Sequence, residues 1–115
     1  MIKIYHNPRC GKSRDGLKIL EESGKPFKII NYLDNILSEQ ELKEIINYLN
    51  ISPESLVRKN EKIWKEKFKG LTLSDNEIIT ALLDHPKLIE RPIVIKDDKA
   101  VIGRPTENIK KILAQ

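Results

Sequence analysis

The first 32 residues constrain the fold most, because they change in order from a strand pattern to a helix pattern and back. Ile2–Tyr5 is an apolar β-type run, and a helix is predicted over about Gly11–Ser23. Gly24 and Pro26 then stop that helix, and residues 27–32 form a second strand pattern. A strand, helix and strand of these lengths predict a βαβ unit with parallel strands and a right-handed crossover.

The middle of the chain is predicted to be helical. Ser38 and Ser74 are each followed three residues later by glutamate and then by apolar residues at helical spacing, which is the pattern of a capping box. A proline at Pro53 favours the first turn of a short helix, which we expect to carry residues 56–60. Residues 63–68 add one or two further helical turns.

The end of the chain returns to strand patterns. Residues 91–95 and 100–102 flank the polar turn 96–99, which predicts an antiparallel hairpin, and a last helix follows. The fold class is therefore α/β, with a mixed sheet built from βαβ and then ββα. A helical insert over about 36–90 separates the two halves of a single domain that spans 1–115.

Cys10 is the only cysteine, and it falls where the first strand joins the first helix. A helix N-terminus favours negative charge through its unpaired N–H groups and its dipole. A lone cysteine is more often a buried and inert residue, but Pro8, Arg9 and Lys12 describe a polar turn. We therefore predict a reactive thiol whose pKa is lowered by the helix start and by Arg9, Lys12 and Arg14.

Composition limits the partners and the compartment. The net charge of +4 comes from residues 1–28, which hold seven Lys/Arg against three Asp/Glu. No basic stripe with interleaved aromatics predicts nucleic-acid binding, so a small anion is the better match. No apolar run approaches the ~20 residues that span a bilayer, and no signal-peptide pattern begins the chain. We expect a cytoplasmic protein that obtains any second thiol from another molecule, because one cysteine cannot form an internal disulfide.

Arginine is scarce, with five residues against sixteen lysines, so each arginine is a candidate for binding oxyanions through its planar fork. The alternative for any one of them is ordinary surface placement. Arg91 and Arg104 lie at the open ends of the two hairpin strands and should therefore come close together. With Arg58, three separated segments could converge on Cys10.

Three other motifs do not fit the sequence. Residues 11–13 resemble the end of a phosphate-binding P-loop, but its first glycine would fall at His6. A cysteine-phosphatase loop needs arginine six positions after the cysteine, where Gly16 stands. His6, His85 and Cys10 have no metal-ligand spacing, so no metal site is predicted. His6 could steer or deprotonate Cys10, or it could be a strand-end residue that bonds to the backbone.

Four separated blocks carry a resemblance that runs over essentially the whole chain. Residues 6–14, 56–60, 85–94 and 103–105, in this order, resemble the glutaredoxin-dependent arsenate reductase family. The resemblance implies a thioredoxin-like fold with a helical insert, which agrees with the predicted element order.

The resemblance also implies roles for individual residues. Cys10 matches the catalytic cysteine of the family, and Pro92 matches the proline whose cis peptide bond faces that cysteine. His6 matches the histidine just upstream of that cysteine. From the local residues themselves, and not from the resemblance, we expect His6, Ser13 and Arg14 to support the thiol. The residues expected to bind the oxyanion are Arg58, Arg91 and Arg104.

The family mechanism implies arsenate as substrate, glutathione as co-substrate and glutaredoxin as protein partner, with no bound cofactor. The thiolate attacks arsenate, glutathione adds to the arsenic, arsenite leaves, and glutaredoxin resolves the mixed disulfide. We expect a monomer that binds neither nucleic acid nor membrane. Arg9 departs from the small residue of better-known members and leaves the substrate affinity open.

Two alternatives keep the same fold. One is a monothiol glutathione-linked reductase with another substrate, since Cys10 and Ser13 form a Cys-x-x-Ser pattern like that of monothiol glutaredoxins. The other is a non-enzymatic transcription regulator. Regulators of this fold often use a Cys-x-x-Cys sensor, and Ser13 counts against that reading.

Overall fold

The computed structural model describes residues 1–115, which divide into two units. Met1–Asn35 and Arg91–Gln115 form the first, called the thiol unit here because it contains Cys10, and Ile36–Glu90 form the second, called the helical unit. That the whole chain is one domain with a helical insert stays a prediction. No helix of either unit has the length and apolar character needed to cross a membrane.

The thiol unit is built on a four-stranded mixed sheet. Its strands are β1 (Ile2–Tyr5), β2 (Phe27–Ile30), β3 (Ile93–Lys96) and β4 (Lys99–Ile102), in the order β2-β1-β3-β4. Strand β1 runs parallel to β2 and antiparallel to β3, and β3 and β4 form the predicted hairpin. The βαβ then ββα order and the thioredoxin-like fold class are thus confirmed.

The strand register brings three loop segments to one edge of this sheet. Tyr5, at the end of β1, pairs with Ile93 at the start of β3, and Ile93 pairs with Ile102 at the end of β4. The residues that follow β1, precede β3 and follow β4 therefore meet at this edge. They include Cys10, Arg91 and Arg104.

Two helices cover the sheet of the thiol unit, α1 (Gly11–Ser23) and α5 (Glu107–Leu113). Leu20 from α1 and Ile109 from α5 are fully buried and pack in one cluster with Ile4 and Val94 of the sheet. Burial of each such side chain contributes about 1.5–3 kcal/mol. This cluster fixes the first helix, and hence its N-terminus, against the strands.

The helical unit contains α2 (Glu39–Leu49), α3 (Lys62–Lys67) and α4 (Asp75–Asp84), with 3₁₀ turns at Pro53–Leu56 and Pro86–Leu88. Both predicted caps are present. Ser38 Oγ accepts the N–H of Glu41 at 3.0 Å. Ser74 and Glu77 form the complete reciprocal capping box, which satisfies two N–H groups that the first turn of a helix leaves open.

Three element boundaries differ from the sequence prediction. Strand β2 ends at Ile30 and not at residue 32, because a turn begins just after it. The β3–β4 turn contains only two residues, with Asp97 at a φ of 59°, a conformation that aspartate tolerates. The short helix opened by Pro53 ends at Leu56, so residues 57–60 are not helical. Val57 instead pairs with Ile89 in an antiparallel bridge.

Candidate active site

The loop between β1 and α1 holds Cys10 at the N-cap of the helix, as the sequence predicts. The Cys10 N–H donates to the Asn7 carbonyl at 3.0 Å, and the Cys10 carbonyl accepts the N–H of Arg14 at 3.0 Å as the first hydrogen bond of the helix. The Asn7 side chain accepts the N–H of Arg9 at 3.0 Å. These bonds fix the backbone on both sides of the thiol.

Two arginines from the far end of the sequence bind the sulfur. Arg104 Nη2 donates to Cys10 Sγ at 3.3 Å, and its Nε donates to the Arg91 carbonyl at 2.9 Å. The Arg91 side chain also hydrogen-bonds to the sulfur and is only 8% exposed. The open ends of the hairpin therefore bring both guanidinium groups to the thiol.

The pKa of the Cys10 thiol lies below its ordinary value. Partial burial is the largest single influence and raises the pKa, because it disfavours the thiolate. The backbone N–H of Ser13, the side chain of Arg91, the backbone N–H of Lys12 and the Arg91 charge together outweigh it. Arg104 Nη2, at 3.3 Å from the sulfur, acts in the same direction.

The cations adjacent to Cys10 in sequence affect the pKa of its thiol differently from the prediction. Arg9, Lys12 and Arg14 are all exposed, so water weakens the effect of their side-chain charges on the Cys10 sulfur. Lys12 favours the thiolate through its backbone N–H, and the guanidinium of Arg14 donates to the Pro8 carbonyl at 3.0 Å. The arginines that act on the sulfur come from the hairpin, because only there does a side chain reach it directly.

His6 is bound to Ser13. Its Nδ1 lies 2.7 Å from Ser13 Oγ, which also accepts the Asn7 N–H at 3.0 Å, and Ser13 is fully buried. Burial, and then the charge of Arg14, lower the pKa of His6 despite an opposing backbone contact with Ser13. A neutral His6 can accept a hydrogen bond from the Ser13 hydroxyl at Nδ1. The histidine therefore supports the first turn of α1.

Pro92 packs against Gly16 of α1 and against Gly103, which follows β4. The Arg91–Pro92 peptide bond is cis, as the resemblance implies, and Arg104–Pro105 is a second cis bond. A Cβ added to Gly16 would lie 2.8 Å from Pro92 Cγ, and one added to Gly103 would lie 2.8 Å from the same atom. Glycine at both positions therefore allows Pro92 to sit between α1 and the end of β4.

Arg58 lies in the helical unit, outside any helix. Its N–H donates to the Leu88 carbonyl at 2.7 Å, and its guanidinium lies 3.6 Å from a carboxylate oxygen of Glu61 and 3.6 Å from one of Glu90. The side chain is mostly buried, with 14% exposed. Its partners in this unit are thus two carboxylates, and its role in binding an oxyanion stays a prediction.

Asn108 is a residue of the site region that sequence reasoning missed. Its Nδ2 donates to the Ile102 carbonyl at 3.1 Å and to the Arg104 carbonyl at 3.4 Å. An asparagine in the first turn of a helix is an ordinary residue there, so no sequence signal marks it. No group of three His, Cys, Asp or Glu side chains that could hold a metal ion occurs in residues 1–115.

The arrangement can hold a thiolate and bring a second anion beside it. Cys10 has a lowered pKa, and the two arginines that contact it offer planar N–H forks that suit a tetrahedral oxyanion. The fold and this geometry define a class: thioredoxin-like proteins in which one cysteine at the start of α1 faces arginines from the hairpin.

The chain belongs to the ArsC family, whose family model matches residues 5–112. It is 43% identical to the arsenate reductase of Neisseria meningitidis serogroup A over 114 residues, which cover 97% of each chain. It is also 40% identical to the Escherichia coli K12 protein YfgD, described as uncharacterized, over 97% of this chain and 96% of that one.

A solved structure shows the same fold. The arsenate reductase of Vibrio cholerae superposes with a TM-score of 0.92 and 41% identity, and the match covers 96% of each chain. The resemblance noted from the four sequence blocks is thus confirmed at the level of the family.

Proposed function

We propose that the protein reduces arsenate to arsenite, with Cys10 as the single nucleophile and with glutathione and glutaredoxin as reductants. The observation that carries the proposal is the contact of Arg104 Nη2 with Cys10 Sγ at 3.3 Å, beside Arg91. Relatives at 43% identity named arsenate reductase support the choice of arsenate among tetrahedral oxyanions.

The first step uses the electrostatics of the site. Arsenate at neutral pH is mainly a dianion, so a thiolate can approach it only where cations offset their repulsion. Arg91 and Arg104 supply two such cations from well-fixed backbone positions. The thiolate forms a sulfur–arsenic bond, and one arsenate oxygen leaves as water after it takes up protons.

The second step reduces the arsenic. The thiol of glutathione adds to the arsenic, and the two sulfurs then join as a disulfide while arsenite leaves. Each sulfur gives one electron, and arsenic gains two in passing from the pentavalent to the trivalent state. Cys10 is left as a mixed disulfide with glutathione, and no second cysteine of the chain can reduce it.

The third step needs a partner protein. A glutaredoxin thiol attacks the glutathione sulfur, takes over the glutathione and releases the Cys10 thiolate. Both reductants act in reducing compartments, which supports a cytoplasmic location. Cys10, Arg91 and Arg104 all come from one chain, so we propose that a monomer is active.

The test is arsenate turnover with glutathione and glutaredoxin, compared with thioredoxin as the reductant. We expect turnover with glutaredoxin, none with thioredoxin alone, and none for Cys10→Ser. With glutathione but without glutaredoxin, one turnover should leave a protein whose intact mass is larger by one glutathione.

The absence of arsenate turnover by the wild-type protein would overturn the proposal. If the wild-type protein shows no turnover of arsenate with any glutaredoxin, the arsenate assignment fails. A glutathione adduct that forms on Cys10 without arsenate would then favour the monothiol reductase alternative.

A further inference from the structure

We propose that Asn108 is a positioning residue that holds Arg104 against the thiol. The proposal rests on the proposed roles of Cys10 and Arg104, and it adds a residue of α5 whose amide binds the backbone around Arg104. Its amide donates to the carbonyls of Ile102 and Arg104, on both sides of Gly103.

The amide is well suited to this task because it supplies two donors in one plane. Both N–H groups of Nδ2 have a backbone carbonyl as acceptor, at 3.1 and 3.4 Å. The two carbonyls belong to the last residue of β4 and to the arginine itself. Asn108 therefore fixes the backbone from which the Arg104 side chain starts.

The backbone between these two bonds is held from the opposite side as well. The N–H of Gly103 donates to the Pro92 carbonyl at 2.8 Å, which continues the β3–β4 ladder by one step. A Cβ at Gly103 would lie 2.7 Å from Ile109 Cδ1, so the neighbour of Asn108 in α5 packs directly on this segment. The end of β4 is thus hydrogen-bonded to the β3 side and packed against α5.

The position of the Arg104 backbone matters because its guanidinium makes two hydrogen bonds at once. Its Nε donates to the Arg91 carbonyl at 2.9 Å while its Nη2 donates to Cys10 Sγ at 3.3 Å. Hydrogen bonds weaken steeply as their distance and angle depart from the optimum. A small shift of the Arg104 backbone would therefore weaken the contact with the thiolate, even though the charge remains nearby.

The variant Asn108→Leu tests this, because leucine has a similar volume and no donors. We expect the pH midpoint of Cys10 alkylation to rise by about half a unit, which is about a threefold slower alkylation below the midpoint. We also expect the KM for arsenate to increase more than kcat decreases. The control Asn76→Ala changes an exposed asparagine of α4 and should leave both quantities unchanged.

A double-mutant cycle separates positioning from general damage to the fold. If Asn108 acts through Arg104, Asn108→Leu should change the alkylation midpoint in the wild-type background and not in an Arg104→Ala background. An equal shift in both backgrounds, or no shift in either, would overturn the proposal. The more conservative Asn108→Gln keeps both donors and should recover part of the shift in the wild-type background.

The alkylation readout needs no arsenate, so its result does not depend on the proposed function. A wild-type protein without arsenate turnover would defeat the proposed reaction and leave the cycle interpretable. Thermal unfolding of each variant shows whether it is folded under the assay conditions. If Asn108→Leu does not fold, the same cycle with Asn108→Ser decides between the outcomes, because serine keeps a polar side chain but has one donor and not two.

Discussion

The guanidinium of Arg104 donates to the sulfur of Cys10 at 3.3 Å, although 94 residues separate them in the chain. The same guanidinium donates to the carbonyl of Arg91 at 2.9 Å. The two arginines at the open ends of the hairpin are therefore linked to each other as well as to the thiol. A change in either one should affect the geometry of both.

The first prediction concerns the shape of the cations and not their charge. Arg91→Lys and Arg104→Lys keep the charge but remove the planar fork and its paired donors. We expect each to lower kcat/KM for arsenate by at least about tenfold, or about 1.4 kcal/mol of transition-state stabilisation. Thermal stability should change little.

Two reverse substitutions are the controls for that prediction. Lys59→Arg and Lys111→Arg alter exposed lysines and should leave arsenate turnover nearly unchanged. Full turnover in both Arg91→Lys and Arg104→Lys would show that charge alone is sufficient. Arg58→Lys in the same assay measures whether the arginine of the helical unit takes part.

The second prediction concerns the pH dependence of the thiol. Cys10 is an acid whose thiolate is the reactive form, so its alkylation rate rises with pH and levels off above the thiol pKa. Because that pKa is lowered, the wild-type midpoint should lie below that of a free cysteine. Arg91→Ala removes a hydrogen bond and a charge from the sulfur and should move the midpoint to higher pH.

Arg9→Ala is the matched control for the pH profile. Arg9 is adjacent to Cys10 in sequence, but its side chain is exposed and its charge is screened. Its removal should move the midpoint much less than Arg91→Ala does. Equal shifts for the two variants would mean that the thiolate responds to net charge and not to direct contact.

The third prediction concerns Ser13. Ser13→Ala would leave His6 Nδ1 and the Asn7 N–H without their common partner in a buried place. Losing the partner of a buried polar group costs about 1–3 kcal/mol each, and the higher helix propensity of alanine offsets only part of that. Chemical denaturation should therefore show a free energy of unfolding that is lower by about 2–5 kcal/mol.

Ser55→Ala is the comparison for that experiment. The Ser55 hydroxyl bonds only to the exposed Ser52 hydroxyl at 3.0 Å, so its loss should change the free energy of unfolding by less than about 0.5 kcal/mol. If Ser13→Ala were as stable as the wild type, the bridge between His6 and Asn7 would have no structural importance.

The fourth prediction concerns Gly16 in the middle of α1. Replacing glycine by alanine inside a helix usually stabilises it by about 1 kcal/mol. Here the new Cβ would lie 2.8 Å from both Pro92 Cγ and Ile109 Cδ1, so overpacking should reverse the sign and cost about 1–3 kcal/mol. Thermal unfolding of Gly16→Ala should therefore show a lower Tm.

Gly11→Ala makes the same chemical change in the same helix without the clash. Its Cβ would meet only Arg14 Nη2 at 3.8 Å, which is an ordinary contact. Its Tm should stay at or above that of the wild type. A Tm for Gly16→Ala that also stays at that level would show that Pro92 and Ile109 can move aside.

The parts of the fold that depend on local pattern could be predicted from the sequence. The helix α1 spans the predicted Gly11–Ser23, and the caps at Ser38 and Ser74 are present. Such features depend on spacing within a few residues, which the sequence displays directly. The predicted hairpin likewise indicated that Arg91 and Arg104 would be neighbours, and the two residues are hydrogen-bonded.

The parts that depend on tertiary contacts could not be predicted. Arg9, Lys12 and Arg14 are nearest to Cys10 in sequence, yet the guanidinium groups that reach the sulfur belong to distant residues. The sequence predicts a helix that includes residues 57–60, but Val57 pairs with Ile89 in a β-bridge and these residues are not helical. Asn108 acquires its importance only from the two carbonyls that the fold brings to it.

The position of β1 between β2 and β3 has a consequence for synthesis of the chain. Strand β1 gains its first neighbour from the adjoining βαβ unit, but its second neighbour and both thiol-binding arginines lie beyond residue 90. A nascent chain that has not yet released these residues from the ribosome exposes Cys10 without either guanidinium. Until the hairpin is made, the Cys10 sulfur lacks both arginine contacts that favour the thiolate, so we expect the thiol to be less ionised than in the folded chain.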